Sequence, residues 1–389
     1  MKKSLLFILF FFLCSPAFAL IWHNDANGNS PLYYVAITLT NSQSGATGSN
    51  FQALVQVNSN TYSTNEAATL KNICFQDGAG NLLKSWLESG ETSASTTTNY
   101  WVLLPISIAG SGKAQIIYMT FQSTSVNSMD GATTGAEPNY TGTYGQYDNG
   151  ANVFVQYGGK SWSSFSFSDG TWNTTNGYLQ QTSTAAEAAG HNGGPVAYIG
   201  STNYAVNASY VLGMAFNYTT QNYARVGLCA NLTQTSYDYE GYRFIGQQSN
   251  DGAGWLSFLN DRTAWVVSNT YSGSTTTNYT EIIQNNLGAW SGALYSGYGT
   301  ETSSALTTLS ATSYTSGNIY GATTGKVGIS AAFYSGGTVY GNPINIQWFY
   351  LRNLPPSGTM PSASFGSVTT ISPTNVSINK VKINNAVIN

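Results

Sequence analysis

Two carboxylates in a tyrosine-rich run have the spacing best suited to chemistry. The run Ser236-Tyr237-Asp238-Tyr239-Glu240 places Asp238 and Glu240 two residues apart, so on a β-strand they share one face. A pair of carboxyl groups can cleave a glycosidic bond, one acting as general acid and the other as nucleophile or base. The same two groups can instead hold the hydroxyls of a bound sugar, or form the polar edge of a strand.

Aromatic residues beside polar, glycine-containing loops form a second set of candidates. Trp255 follows Asn250-Asp251-Gly252-Ala253-Gly254, and Trp290 lies between Gly288-Ala289 and Ser291-Gly292. Aromatic rings stack on the apolar faces of sugars, while neighbouring carboxylates and amides bind the hydroxyls. We therefore predict a carbohydrate-binding surface formed by Trp255, Asp238, Glu240, Tyr242, Asp251 and Trp290.

Burial in the core is the competing interpretation of every aromatic candidate. Trp265 and Trp348 stand in the apolar runs TAWVV and NIQWFYLR, and we assign both to packing. If Trp255 were also a core residue, its truncation would reduce stability rather than binding.

Metal-binding patterns are sparse. The two histidines, His23 and His191, stand alone, whereas a zinc site needs several His or Cys ligands at close spacing. Calcium is the one metal that the sequence suggests, because Asn250-Asp251-Gly252 and Asn260-Asp261 place oxygen ligands in loops. The competing interpretation of both loops is β-turn chemistry. Apart from such a calcium ion, we expect no cofactor.

The first 19 residues have the pattern of a cleaved secretory leader. Lys2-Lys3 precedes the apolar run Leu5–Leu13, and Ala17-Phe18-Ala19 is a small-x-small cleavage site. The apolar run is too short to span a bilayer as a helix. The sequence therefore predicts a Sec-type signal peptide over 1–19, which the intact mass of exported protein should lack. It also predicts an extracellular or cell-surface location and no membrane span in the mature chain.

Composition favours a strand-rich protein with an uncharged surface. Of 389 residues, 7% are charged, 14% are aromatic and 42% are hydrophobic, whereas a typical soluble domain has roughly 25% charged residues. Aromatic and β-branched residues favour strands. The net charge of −3 provides no basic patch, so we expect no nucleic-acid partner. The small number of carboxylates also predicts a stability that depends little on pH.

Two cysteines stay in the mature chain once Cys14 leaves with the leader. Cys74 and Cys229 both lie in apolar, strand-like runs. Buried free thiols are the expected state, and a bridge joining the two domains is the alternative.

Strand patterns divide the mature chain into two β units. Residues 20–122 contain alternating segments such as YYVAITLTN and predict a β-sandwich. Residues 123–146 are rich in Ser, Thr, Gly and Asn and are predicted to be a linker. Residues 147–356 carry many strand-like segments, which suits one large jelly roll better than two immunoglobulin-like units. Residues 357–389 form a Ser/Thr-rich tail, either a strand added to the body or the stub of a further domain.

Several motifs follow one another between Tyr33 and Gln122. They are a strand ending in Thr-Asn, the turn Asp77–Leu83, the segment Trp86–Glu88, and the strands containing Trp101-Val102 and Ile117-Tyr118. In this combination the first unit resembles an uncharacterised β domain of archaeal and bacterial surface proteins. The resemblance implies a cell-surface context and carries over no catalytic residue.

The second unit opens with YDNGANVFVQY (Tyr147–Tyr157), continues with TWNTTNGYLQQTS (Thr171–Ser183) and closes with INIQWFYLRNLPPSG (Ile344–Gly358). These segments resemble the concanavalin A-like, or laminin-G-like, sandwich that commonly follows such a domain. Glucanases of that fold carry an additional glutamate two residues before the aspartate, and Ser236 occupies that position here. This departure argues against hydrolysis at Asp238.

The sequence therefore predicts an all-β protein of two β-sandwich domains, the second a concanavalin A-like jelly roll. Its expected function is non-catalytic binding or adhesion, with glycans or cell-envelope components as partners. A structural component of an envelope or filament, self-associating through its C-terminal strand, is the alternative from a different class. A glycoside hydrolase is the least favoured of the three.

Overall fold

The structure is a computed structural model. It describes residues 20–140, 145–168, 170–175, 177–182, 195–205, 208–218, 224–232, 242–248, 253–260, 264–272, 277–284, 290–296, 307–311, 324–333, 344–372 and 376–377. In strands between residues 229 and 290 the description covers the backbone and its pairing.

The first unit is a β-sandwich whose strands follow the alternation of its sequence. In Tyr33–Asn41, every second residue from Val35 onward is buried, because successive side chains of a strand point to opposite faces. The strands are β1 (Trp22–His23), β2 (Tyr33–Asn41), β3 (Phe51–Val57), β4 (Ile73–Gln76), β5 (Leu82–Leu83), β6 (Ser85–Ser89), β7 (Thr98–Leu104), β8 (Lys113–Phe121) and β9 (Thr134–Ala136).

The second unit begins with the short helix α1 (Gly150–Val153), and its other described elements up to Asn353 are strands. They are β10 (Gln156–Gly158), β11 (Phe165–Ser168), β12 (Trp172–Thr175), β13 (Tyr178–Gln181), β14 (Val196–Ile199), β15 (Tyr204–Ala205), β16 (Tyr210–Tyr218), β17 (Ala224–Leu232), β18 (Tyr242–Gln248), β19 (Ala253–Asn260), β20 (Ala264–Ser272), β21 (Thr277–Gln284), β22 (Trp290–Ser296), β23 (Thr307–Ala311), β24 (Thr324–Phe333) and β25 (Ile344–Asn353).

These strands form two large antiparallel sheets. The first has the order β12-β13-β25-β16-β21-β22-β23, with β10 also pairing with β25; the second has the order β11-β14-β24-β17-β18-β19-β20, with β15 also pairing with β24. Met214 and Phe349 from one sheet and Leu228 and Ile329 from the other are buried in a common core. The prediction of an all-β protein with two sandwiches, the second a large two-sheet jelly roll, is thus confirmed.

The C-terminal segment returns to the first sandwich. Its strands are β26 (Ser362–Phe365), β27 (Thr369–Thr370) and β28 (Val376–Ser377). β26 and β27 pair with β2, giving the sheet order β26-β2-β8-β4-β5, while β28 pairs with β1 in parallel. Of the two alternatives for the tail, the structure places residues 362–370 as strands added to the body.

Part of the expected linker, 123–146, is also built into the first sandwich. β9 pairs in parallel with β6, completing a sheet of order β3-β7-β6-β9. Met129, Ala136 and Tyr140 are buried in the first core. A three-residue strand is too short to produce a detectable alternation, so its polar composition resembled that of a connector.

A separate apolar cluster, here called the interface cluster, joins the two sandwiches. Trp86 on β6 meets Trp348 on β25 edge-to-face, with ring centroids 5.5 Å apart and planes at 90°. Phe154 stacks on Tyr350 with centroids 4.6 Å apart. Such ring pairs add about 0.5–1.5 kcal/mol beyond the area they bury. The cluster comprises Leu54, Trp86, Trp101, Val153, Phe154, Tyr157, Ala215, Trp348 and Tyr350.

The interface cluster explains why β25 is buried along almost its whole length. All of its residues except the last, Asn353, are buried. Phe349 belongs to the core between the two sheets, whereas its neighbours Trp348 and Tyr350 contact the first sandwich. Because both faces are covered, the strand reads as the nearly continuous apolar run INIQWFYLR rather than as an alternation. The assignment of Trp348 to packing is confirmed.

Close packing of the Tyr350 ring depends on a glycine in the adjacent strand. Gly213 on β16 lies opposite Tyr350, and a Cβ added there would lie 2.4 Å from the ring. No larger residue fits without moving the ring.

Backbone polar groups at the interface are satisfied by amide side chains. The Gln52 Nε2 donates to the carbonyl of Val153 (3.2 Å), and its Oε1 accepts from the N–H of Asn353 (3.0 Å). The Asn149 Nδ2 donates to the carbonyls of Ser85 (3.0 Å) and Thr133 (3.1 Å). Buried polar groups without such partners would cost free energy, so these amides make the contact between the sandwiches specific.

Cys74 is buried and free, as expected. Burial raises the pKa of its thiol to about 12, which makes it a poor nucleophile. The side chain of Cys229 lies outside the described residues.

Within the described part of the chain, helices are all too short or too polar to cross a bilayer.

Replacing Trp348 with alanine should lower the free energy of unfolding of the mature protein by about 3–5 kcal/mol, the usual cost of truncating a large buried aromatic side chain. Urea denaturation measures the loss. Phe167→Ala is the matched control, because Phe167 is 44% exposed; its loss should be about 1 kcal/mol or less. Equal losses in the two variants would contradict the interface cluster.

Candidate functional site

The structure describes three of the six predicted carbohydrate-binding residues and places them on three different strands. Trp255 lies within β19, Tyr242 is the first residue of β18, and Trp290 is the first residue of β22. The other three, Asp238, Glu240 and Asp251, lie outside the described residues.

Trp290 is placed on a different sheet from Trp255. β22 belongs to the sheet that contains β16 and β25, whereas β18 and β19 are neighbours in the opposite sheet. The structure therefore does not bring Trp290 to the same sheet surface as Trp255 or Tyr242.

Tyr242 and Trp255 lie on adjacent strands but at distant register positions. Tyr242 is opposite Asn260, and Trp255 is opposite Gln247. Five residues separate Tyr242 from Gln247 along β18, which corresponds to about 17 Å of strand. An odd separation also places the two positions on alternate faces of the sheet. The two aromatic residues are thus not partners in one site.

The register of the sheet relates the position of Trp255 to that of the core residue Leu228. Leu228 of β17, a core residue, is opposite Phe244, which in turn is opposite Phe258. Positions directly opposite one another share a face. Trp255 is three residues from Phe258, so its position alternates with the core positions.

The first sandwich covers part of the other sheet. Ala215 on β16 and Trp348 and Tyr350 on β25 face the first sandwich in the interface cluster, and Tyr295 of β22 packs against its edge. The sheet surface at Ala215, Trp348 and Tyr350 is therefore closed to a ligand. The opposite sheet, with β18, β19 and β20, is therefore the better candidate for a binding face.

Metal binding finds no support among the side chains described. No group of three or more His, Cys, Asp or Glu residues in this part of the chain is arranged to hold an ion. Asp251 and Asp261, which the calcium expectation requires, lie outside the described residues, so that expectation stays a prediction.

Three acidic residues of the described chain are buried with raised pKa values. Glu66 is 4% exposed in the first sandwich, and burial raises its pKa to about 8, against a smaller opposing effect of a hydrogen bond with Ser59. An isolated ionised carboxylate is costly to remove from water. Glu66 is therefore a neutral acid at pH values below 8.

Glu137 forms part of a carboxyl pair near the second sandwich. Its pKa is raised to about 9, chiefly by burial and to a smaller extent by the neighbouring Glu91, which is hydrogen-bonded to it. The N–H of Asn139 opposes the shift by donating to Glu137 Oε2 (2.7 Å). Tyr178 of β13 donates to the Asn139 side chain (3.2 Å). Two carboxyls in direct hydrogen bond are closer than the roughly 5 Å of a retaining glycosidase pair, so this pair does not have hydrolytic geometry.

Asp148 links the buried acids to the interface cluster. Its Oδ1 accepts from Trp86 Nε1 (3.3 Å) and from the N–H of Gly150 (3.0 Å), and its Oδ2 accepts from the N–H of Lys160 (2.8 Å). Burial raises the pKa of Asp148, while these hydrogen bonds act in the opposite direction. The carboxyl group orients the Trp86 indole that contacts the second sandwich.

Sequence reasoning missed both the buried acids and the first sandwich's contribution to the interface. In the sequence, Trp86 and Trp101 stand out only as part of the motifs that the first unit shares with a surface-protein domain. A run of consecutive apolar residues, YWVLL within Thr98–Leu104, is the signal in the sequence for a strand covered on both faces. In the structure, every residue of this strand except Leu103 is buried. Single buried acids have no comparable pattern.

Comparison with known proteins gives one curated relative. It is "Uncharacterized protein 562" of Sulfolobus islandicus rod-shaped virus 1, 34% identical over 190 residues, which are 48% of this chain and 29% of the relative. The match thus spans less than a third of that protein. No protein-family model matches the chain, so the resemblance of the first unit to a surface-protein domain stays a prediction.

Solved structures similar to the chain include two lectin-type folds. A legume lectin-like domain from Entamoeba histolytica aligns with 49% of this chain and 90% of its own length, at 12% identity and a TM-score of 0.37. Lectin II from Ulex europaeus aligns with 51% of this chain and 98% of its own, at 9% identity and a TM-score of 0.37. The assignment of the second unit as a two-sheet sandwich rests on its own strand pairing.

The buried acids predict a protein that is most stable in acid. Unfolded, Glu66 and Glu137 lose their protons near pH 4.5; folded, they keep them up to about pH 8 and about pH 9. Between these limits the folded state binds more protons, so the free energy of unfolding falls as pH rises. Stability should be highest below pH 4.5 and decline between pH 4.5 and 9, in contrast to the weak pH dependence expected from composition.

Urea titrations of the mature protein across this pH range measure the decline. Glu137→Gln, a neutral isostere, should flatten it and raise stability at pH 8, while at pH 4 the variant should match the parent and so serve as its own control. A parent profile that is flat or rises from pH 4.5 to 9 would show that these carboxyls are not buried as described.

Proposed function

We propose that the chain is a secreted or cell-surface protein that binds carbohydrate without catalysis, and that the second sandwich is its binding module. Trp255 is the principal contact on the sheet formed by β17, β18, β19 and β20. In this proposal the predicted leader directs export, and glycans or cell-envelope components are the partners.

The register position of Trp255 carries this proposal. It alternates with Phe244 and Phe258, which are in register with the core residue Leu228, and this supports a Trp255 outside the core. Gln247 lies directly opposite it on β18 and Thr270 on β20. An amide and a hydroxyl at positions flanking an aromatic residue are the groups that hold sugar hydroxyls around a stacked ring.

Coverage of the other sheet supports the same choice. The first sandwich occupies that sheet's surface at β16 and β25, which leaves the Trp255 sheet as the large sheet surface that no described residue of the first sandwich covers. Asp238, Glu240 and Asp251 stay in the proposed site. Tyr242 and Trp290 are left out of it, because Trp290 is on the other sheet and Tyr242 is five positions along β18 from Gln247, the partner of Trp255.

A structural role through C-terminal strand exchange is less well supported. That alternative needs a C-terminal strand free to pair with another chain, and β26 and β27 are paired with β2 of their own chain.

Trp255→Ala should weaken glycan binding by the mature protein about tenfold or more, a loss of roughly 1.4 kcal/mol, and should leave its thermal stability unchanged. A glycan array identifies the ligand, and calorimetric titration then measures the affinity. Gln247→Ala should give a smaller loss, because it removes a hydrogen bond and no stacking surface.

Trp348→Phe is the control for a buried aromatic residue and should leave affinity unchanged. A Trp255→Ala variant that is unfolded would show that Trp255 is a core residue. A folded variant with the affinity of the parent would remove Trp255 from the site.

A further inference from the structure

The first sandwich contains a cleft that the carbohydrate-binding prediction does not include. It has a volume of about 380 Å³ and lies between the end of β3, the turn Ser59–Tyr62, the loop before β7, and β26. Small-molecule sites commonly occupy roughly 300–1,000 Å³. The cleft therefore has room for a small ligand.

The lining of the cleft combines apolar surface with uncharged polar side chains. Gln56 and Asn58 contribute amides, Thr96 and Thr97 contribute hydroxyls, and none of the described side chains that line it carries a charge. These four residues and Thr61, which also lines the cleft, are solvent-exposed. Amides and hydroxyls both donate and accept hydrogen bonds, so they match a ligand that carries many hydroxyl groups and no charge.

Two aromatic residues complete the lining. Tyr62 is buried and packs against Phe121 with ring centroids 5.9 Å apart. Phe365, on β26, is half-buried: it packs against the first core and also lines the cleft. A half-buried ring beside polar side chains can present one face to the apolar side of a sugar.

The walls of the cleft are held in place by hydrogen bonds. The N–H of Asn60 donates to the carbonyl of Ser95 (3.0 Å), which joins the turn to the loop before β7. Ser59 Oγ and Thr98 Oγ1 lie 2.9 Å apart, and Ser95 Oγ donates to the carbonyl of Thr97 (2.7 Å). A preformed site loses less free energy on ordering when a ligand binds.

The nearest buried acid leaves the cleft neutral. Glu66 lies behind Tyr62, its N–H donating to the Tyr62 carbonyl (3.2 Å). Because burial raises the pKa of Glu66 to about 8, the carboxyl group is protonated under neutral and acidic conditions. It therefore does not make the cleft attractive to cations.

We propose that this cleft is a second saccharide site, for an uncharged mono- or disaccharide unit whose ring stacks on Phe365 while Asn58, Thr96 and Thr97 bind its hydroxyls. The site is separate from Trp255, which lies in the other sandwich, and does not depend on it. Because Phe365 is supplied by β26, the site is complete only when the C-terminal segment is paired with β2.

Calorimetric and NMR titrations of the mature protein with methyl glucoside, maltose, cellobiose and lactose test the proposal, with sialyllactose as the charged probe. At least one neutral sugar should bind in the micromolar-to-millimolar range. Thr97→Val, which keeps the side-chain shape, and Asn58→Ala should each weaken that binding several-fold, and Phe365→Leu should weaken it tenfold or more. Thr171→Val, an exposed threonine of the second sandwich, is the matched control and should have no effect.

The variants also separate this site from the Trp255 surface. Neutral-sugar binding that is unchanged by Trp255→Ala and weakened several-fold by Thr97→Val supports the cleft, whatever the outcome for the second sandwich. Binding that depends only on Trp255 overturns the cleft and leaves the proposed function standing. Absence of neutral-sugar binding, or unchanged binding in the folded Thr97→Val and Phe365→Leu variants, also overturns it.

Discussion

Burial of aromatic rings between the two sandwiches is the constraint on which the rest of the structure depends. Trp86 and Trp101 on the first sandwich meet Trp348 and Tyr350 on the second, and Phe154 lies between them. β25 is buried on both faces, because Phe349 packs in the core of the second sandwich while Trp348 and Tyr350 pack in the interface cluster. One contact therefore fixes the relative placement of the sandwiches and decides which sheet surface stays accessible.

Polar groups around the rings make this apolar contact specific. Trp86 donates to Asp148, and Trp101 Nε1 donates to Glu88 Oε2 (3.1 Å). The guanidinium of Arg352 lies 4.7 Å from the centroid of the Trp101 ring, within the range of a cation–π interaction. In a chain with only 7% charged residues, three of them, Asp148, Glu88 and Arg352, are thus placed at this buried boundary. The cost of burying the two carboxyl groups is limited because an indole N–H is directed at each of them.

Residue patterns were sufficient to predict the fold class. They were not sufficient to predict that part of the linker forms a strand, or which residues lie on the same sheet. The alternation of YYVAITLTN predicts β2, and its buried positions agree with that pattern. β9 is not predicted by the sequence, because its three residues pair with β6 through backbone hydrogen bonds, and these leave no pattern in the amino-acid composition. The predicted site combined residues close in sequence or similar in type, but Trp290 and Trp255 are on different sheets. Only strand order, set by long-range pairing, separates them.

The cleft illustrates the same limit. Asn58, Thr97 and Phe365 come from three distant segments, and Phe365 reaches the first sandwich only because β26 returns to β2. The polar tail gave no sign of its role in the first core, where Phe365 and Met360 pack. Non-local contacts of this kind tie the C-terminal segment, both sandwiches and the interface cluster into one unit.

Differential scanning calorimetry of the mature protein tests most directly whether the two sandwiches unfold as one cooperative unit. If the interface cluster and the returning C-terminal segment couple the two sandwiches, unfolding should be a single transition with equal calorimetric and van't Hoff enthalpies. Two resolved transitions, of which Trp86→Ala shifts only one, would contradict the account.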